Sequence, residues 1–199
     1  MTGLINRTVE CFVRDSYGEG VWLDVMRRLD LGYVGFEAML DYDPAITERL
    51  LAALAGRLDR SVAELQEDVG TYLVSHPNTE ALRRLLRFGG VDFADFLHSL
   101  DDLPERARLA LSDLALPAMT LRDRGGGLYT VSVGTPRRPL PLRLGHVVIG
   151  LLRAMADDYG ALVLLEHKGR LGAGEDIEVR LLDRDFAAGR RFELGAMGG

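Results

Sequence analysis

Apolar residues recur at helical spacing through the first half of the chain and at strand spacing through much of the second. Leu4, Ile5, Val9, Phe12 and Val13 share one face of a helix that stops near Tyr17-Gly18. Val21, Trp22, Val25, Met26 and Leu29 mark a second helix. A third runs from Pro44, with Ile46, Leu50, Leu51, Leu54 and Leu58 inward. Ser61-Val62-Ala63-Glu64 is a capping-box pattern that opens a fourth, carrying Leu65, Val69 and Leu73. Asn78 is the expected N-cap of EALRRLLRF, which Gly89-Gly90 stops. Phe93, Phe96, Leu97 and Leu100 then make a Phe-rich face, and the same spacing leads next to Pro104. A helix-breaking residue therefore falls where the stripe points into the core.

After Pro117 the period changes. MTLRD, the Gly125-Gly126-Gly127 turn and LYTVSV predict a β-hairpin. PRRPLPLRLG is too proline-rich for a regular element. HVVIGLLRAMADDYG predicts a helix with Val148, Leu151, Leu152 and Met155 on its apolar face. ALVLLEHKG and DIEVRLLD predict two strands joined by RLGAGE. The expected class is α+β: an N-terminal helical bundle of six or seven helices, then a ββαββ antiparallel-sheet subdomain. This implies one domain over residues 1–185, with a helical half at 1–116, a ββαββ half at 117–185 and a tail at 186–199.

Composition changes the picture only by exclusion. At 199 residues and 47% hydrophobic, the chain is long enough to bury a sizeable core. A net charge of −6 argues against a general nucleic-acid or anionic-membrane surface. The single cysteine, Cys11, allows no intramolecular disulfide. The charged N-terminus does not read as a signal peptide, and no apolar run approaches the roughly 20 residues of a spanning helix. The expectation is a cytoplasmic protein with no nucleic-acid or membrane partner.

Catalytic chemistry is thin. His76, His98, His146 and His167 form no metal-binding spacing. His98 falls off the apolar stripe and reads as a solvated histidine; His76, before Pro77, reads as a helix-end residue. Cys11 reads as a small core residue among Val9, Phe12 and Val13. The glycine clusters lie between strands, which argues against a phosphate loop. Asp101-Asp102 reads as the acidic approach to a new helix at Pro104, and Arg137-Arg138 as an exposed pair able to grip an anion. No nucleophile–base pair emerges, so a binding or regulatory domain is expected and an enzyme is not.

One ordered set of segments carries a resemblance. MTGLINRTVECFVRDSYGEGVWLDV, LQEDVGTYLV, FADFLHSLDDLP, LALPAMTL and HVVIGLLRAM follow the order found in the H-NOX (heme nitric-oxide/oxygen binding) family. The resemblance covers nearly the whole chain. It implies the fold above, a heme pocket, and a sensor that regulates a signalling partner such as a kinase or a cyclic-di-GMP enzyme. In that family the segment FLxxLDxLH presents the histidine that holds the heme iron; here FLHSLDDLP puts Pro104 in its place. Proline offers no donor atom to iron. The propionate-gripping Y-x-S-x-R pattern matches best at Val133-Gly134-Thr135-Pro136-Arg137, which keeps the Arg and a hydroxyl but not the Tyr; Tyr129-Thr130-Val131-Ser132 is a second register, without the Arg. Pro117 matches the proline that presses on the macrocycle, and Ile5 matches a distal-pocket position. Val147 stands where oxygen-binding members carry a hydrogen-bonding Tyr, so a heme held here would favour nitric oxide over oxygen.

The resemblance thus implies a stand-alone regulator of H-NOX type that has lost conventional heme ligation. It would keep a pocket for another small ligand, or serve as a protein-interaction module, and signal in trans. The alternative is a heme-based nitric-oxide sensor whose iron is held by His76 or His98. An enzyme ranks lowest.

Overall fold

The computed structural model describes residues 2–110, 116–135, 143–171 and 174–190. Its first helices follow the apolar stripes: α1 (Thr2–Tyr17), α2 (Glu19–Leu29), α3 (Pro44–Leu58) and α4 (Val62–Ser75). The capping box forms in full, with Ser61 accepting from the Glu64 N–H and Glu64 accepting from the Ser61 N–H. The Glu64 carboxyl is held below its usual range, chiefly by that backbone hydrogen bond.

Asn78 does not cap the next helix. A 3₁₀ turn, Pro77–Thr79, intervenes with His76 as its cap, and α5 (Glu80–Arg87) begins behind Thr79. The Asn78 side chain instead donates to Asp15 at 3.0 Å, tying the turn to α1.

The Phe-rich helix also departs from its expected length. α6 (Phe93–His98) stops at His98, before the stripe reaches Leu100 and Pro104. Ser99 closes it, its N–H donating to the Asp95 carbonyl and its hydroxyl to the Phe96 carbonyl. Asp101 then turns outward and accepts the Leu121 N–H at 2.7 Å. A new helix, α7 (Leu103–Ala110), opens with Pro104 in its first turn, where a missing N–H costs no intrahelical bond. The interruption shifts the helical phase. Leu103 is completely buried, whereas Pro104 is only half-buried.

β1 (Met119–Asp123) and β2 (Leu128–Val133) form the hairpin, with Met119 opposite Val133 and Asp123 opposite Tyr129. Gly125, Gly126 and Gly127 all adopt positive φ, which suits glycine and few other residues. α8 (Leu144–Tyr159), β3 (Leu162–Leu171) and β4 (Gly174–Asp183) complete an antiparallel sheet ordered β1-β2-β4-β3. Period-two burial of Ile177, Val179 and Leu181 on β4 turns one sheet face toward α8.

Two apolar cores result. One gathers α1–α4 around Trp22, Leu50 and Leu54; the other gathers α5–α8 and the sheet around Phe96, Leu152 and Met155. α4 and α8 join them. A Cβ on Gly150 would run into the backbone of Glu67, and one on Gly70 into the backbone of Val147. The two helices therefore meet backbone to backbone, and only glycine permits that approach.

Candidate functional site

A cavity of about 380 Å³ lies along this seam, within the size range of small-molecule sites. α1 contributes Ile5, Thr8 and Val9, and α4 contributes Gln66, Val69 and Leu73. Leu82 and Leu86 of α5, Leu103 of α7, and Pro117 and Met119 at the start of β1 close the far side. α8 supplies Leu144, Val147, Val148 and Leu151, one stripe at helical spacing. The wall thus draws on both cores.

Its polar side chains are few. Thr8 donates back to the Leu4 carbonyl at 2.9 Å, and Thr79 donates to the His76 carbonyl at 2.8 Å. Asn78 is engaged by Asp15. Gln66 differs: it is only 2% exposed, and its carbonyl Oε1 is buried with no hydrogen-bond partner. Among the described lining residues no side chain is ionisable.

Three of the positions named from sequence meet at this wall: Ile5, Pro117 and Val147. Pro104 does not line the cavity; its neighbour Leu103 does, because the break after His98 changed the phase. Arg137 lies outside the described residues. In the alternative register, Tyr129 is buried in the sheet core. His76 ends α4, stacks on the Tyr72 ring at 4.8 Å and lies 3.6 Å from Asp15. His98 is 55% exposed and faces Asp123 at 3.8 Å. Neither histidine lines the cavity. Burial raises the pKa of the Cys11 thiol, leaving it protonated at neutral pH.

The donor set decides how well heme iron would be served. Among the described lining residues there is no imidazole, thiol or phenol, and the one sulfur is the neutral thioether of Met119. No described lining cation faces where propionates would need a partner. These residues do not fit a conventionally ligated heme.

A second constellation had no local signature in the sequence. His146 and His167, 21 residues apart, stack at 4.4 Å with rings 14° from parallel. His146 Nδ1 meets Glu67 at 3.2 Å, and His167 Nε2 meets Glu175 at 2.7 Å. Arg153 also donates to Glu67, so α4, α8, β3 and β4 converge on one polar knot beside the seam. Gln66, by contrast, left a readable trace: a polar residue three and seven positions before Val69 and Leu73 on the same apolar face.

Comparison with known proteins places these features in context. The family model described as Haem-NO-binding matches residues 2–167. A soluble guanylate cyclase of Caenorhabditis elegans, gcy-31, is 25% identical over 158 residues, covering 79% of this chain and 22% of the relative. Soluble guanylate cyclase 89Da of Drosophila melanogaster is 19% identical over 198 residues, covering 98% of this chain and 29% of the relative. The chain therefore spans less than a third of these relatives. Among solved structures, a mutant H-NOX protein of S. oneidensis in the Fe(II) state superposes with a TM-score of 0.72 at 18% identity, covering 92% of this chain and 97% of that one. An unliganded Fe(II) mutant from K. algicida gives 0.73 at 17% identity, with the same coverage. Fold, element order and the family match agree: the chain belongs to the Haem-NO-binding (H-NOX) family of sensor domains.

Proposed function

We propose that this protein is a sensory regulator of H-NOX fold that works without conventional heme ligation and signals in trans to a partner protein, of the kinase or cyclic-di-GMP enzyme class. The observation that carries the reading is Pro104 at the family's ligand position, together with Leu103 as the residue at the cavity wall. Neither side chain can donate to iron. The absence of ionisable side chains among the described lining residues supports the same reading.

The mechanism follows from where the cavity lies. Its wall is shared between a core built on α1–α4 and a core built on the sheet, with α8 part of the second and packed against α4 of the first. A molecule that fills the cavity changes how α8 seats against α4, and so the angle between the two halves. Packed interfaces respond by shifting between discrete arrangements rather than bending smoothly. The partner reads the surface that results.

The test is the absorption spectrum of protein expressed with ample heme precursor, recorded before and after nitric oxide. The expected result is a folded, colourless protein. A stoichiometric Soret band that moves with nitric oxide would overturn the reading. His76→Ala and His98→Ala would then identify the ligand.

A further inference from the structure

We infer that the cavity is a binding site for a small, neutral, largely hydrocarbon alcohol, an aromatic or alicyclic ring system carrying one hydroxyl, oriented by Gln66. The inference rests on the reading above that the cavity does not hold a ligated heme, and it names the class of molecule the sensor answers to.

Size sets the first limit. About 380 Å³ is near the lower end of small-molecule sites, enough for one or two fused rings. The wall sets the second. Ile5, Val69, Leu82, Leu103, Val147 and Leu151 offer hydrocarbon to the ligand, and such cavities take up apolar molecules in preference to water.

Charge sets the third limit. No described lining side chain is ionisable, so a carboxylate or ammonium would be buried without a counter-charge.

Gln66 supplies the one polar requirement. Thr8, Asn78 and Thr79 already donate within the protein, while the Gln66 carbonyl oxygen is buried and unpaired. An unsatisfied buried carbonyl oxygen is a standing cost that a ligand can remove. The terminal torsion of a glutamine is broad, so either end of the amide can turn to the ligand. A hydroxyl both donates and accepts, and meets either end. The rest of the wall asks only for hydrocarbon.

The experiment titrates the purified protein with three naphthalenes of one shape: 2-naphthol, 2-methylnaphthalene and 2-naphthoate. Binding is followed by calorimetry, directly or by competition with 2-naphthol. The expected order is saturable 1:1 binding of 2-naphthol, about tenfold weaker binding of 2-methylnaphthalene, and no saturable binding of 2-naphthoate. Gln66→Leu should retain both neutral probes but bring their affinities within about twofold, since a leucine leaves no polar group to satisfy. Val147→Phe, which narrows the cavity, should weaken both neutral probes while keeping the helical circular-dichroism signal. The proposal is overturned if folded wild-type protein binds neither neutral probe, if 2-naphthoate binds as tightly as 2-naphthol, or if the preference for 2-naphthol survives Gln66→Leu. A protein that carries stoichiometric heme refutes the heme-independent reading itself. A colourless protein that ignores the three probes refutes the ligand class alone.

Discussion

The two cores solve the same problem with different materials. The α1–α4 core tolerates polar groups: Asn6 and Thr47 pair at 2.7 Å inside it, and Glu10 is buried beneath Arg7 and Arg14 while accepting the Phe36 N–H. The core of α5–α8 and the sheet is almost all hydrocarbon, and its buried carboxylate, Asp158, lies at the edge in a two-pronged grip from Arg83 at 2.5 and 3.2 Å. In the first half a buried charge fastens the loop before α3 to α1; in the second it fastens α5 to the end of α8. The cavity opens where the two meet, and the orphaned atom among its described lining residues, Gln66 Oε1, comes from the polar side. At the seam, a ligand that pairs with Gln66 would satisfy an atom the protein leaves unpaired.

Breaking a buried charge should have the largest effect. Asp158→Ala strands Arg83 and should destabilise the protein by about 3–5 kcal/mol, read from urea unfolding. If the halves fold as one unit, a single transition moves to lower denaturant. Two separated transitions would show that the cores are independent. Gly150→Ala sharpens the same point from the seam. Its methyl group meets the Glu67 backbone, and the expected loss is about 1–3 kcal/mol, with weakened binding of a cavity ligand.

The smallest effect concerns pH. The Tyr72 hydroxyl, with help from Asn78 and His76, holds the Asp15 carboxyl below its ordinary range. Burial, with that same bond, pushes Tyr72 itself upward. Because Asp15 has a lower pKa folded than unfolded, its contribution is complete above about pH 4 and is lost as pH falls further. Tyr72→Phe should cost about 0.5–1 kcal/mol at pH 7, and less of the remaining stability should vanish on acidification. Unfolding curves at pH 7 and pH 3 measure both.

Much of this architecture was legible in the residues. The stripes of α1 to α4, the Ser61–Glu64 box and the glycine hairpin are local patterns, and local patterns survive folding. So did the order of segments that points to the family. The misreadings share one cause, competition from distant partners. Asn78 left its expected cap for Asp15, 63 residues away, and Asp101 took the N–H of Leu121 across the fold. That second contact accompanies the early stop of α6, which moved Leu103 into the place the continuous stripe gave to Pro104. The stacked His146–His167 pair is a product of strand and helix placement alone, with no spacing to announce it.

The shift of phase gives the most direct measurement. Hemin is titrated into purified wild-type protein, Pro104→His and Leu103→His, and the Soret region is followed before and after nitric oxide. If the cavity lacks an inward donor and its inward position is residue 103, only a histidine at 103 can reach iron held there. The expected result is a saturating, nitric-oxide-sensitive band for Leu103→His alone. One equivalent of heme bound by the wild type, or a band gained by Pro104→His and not by Leu103→His, would contradict it.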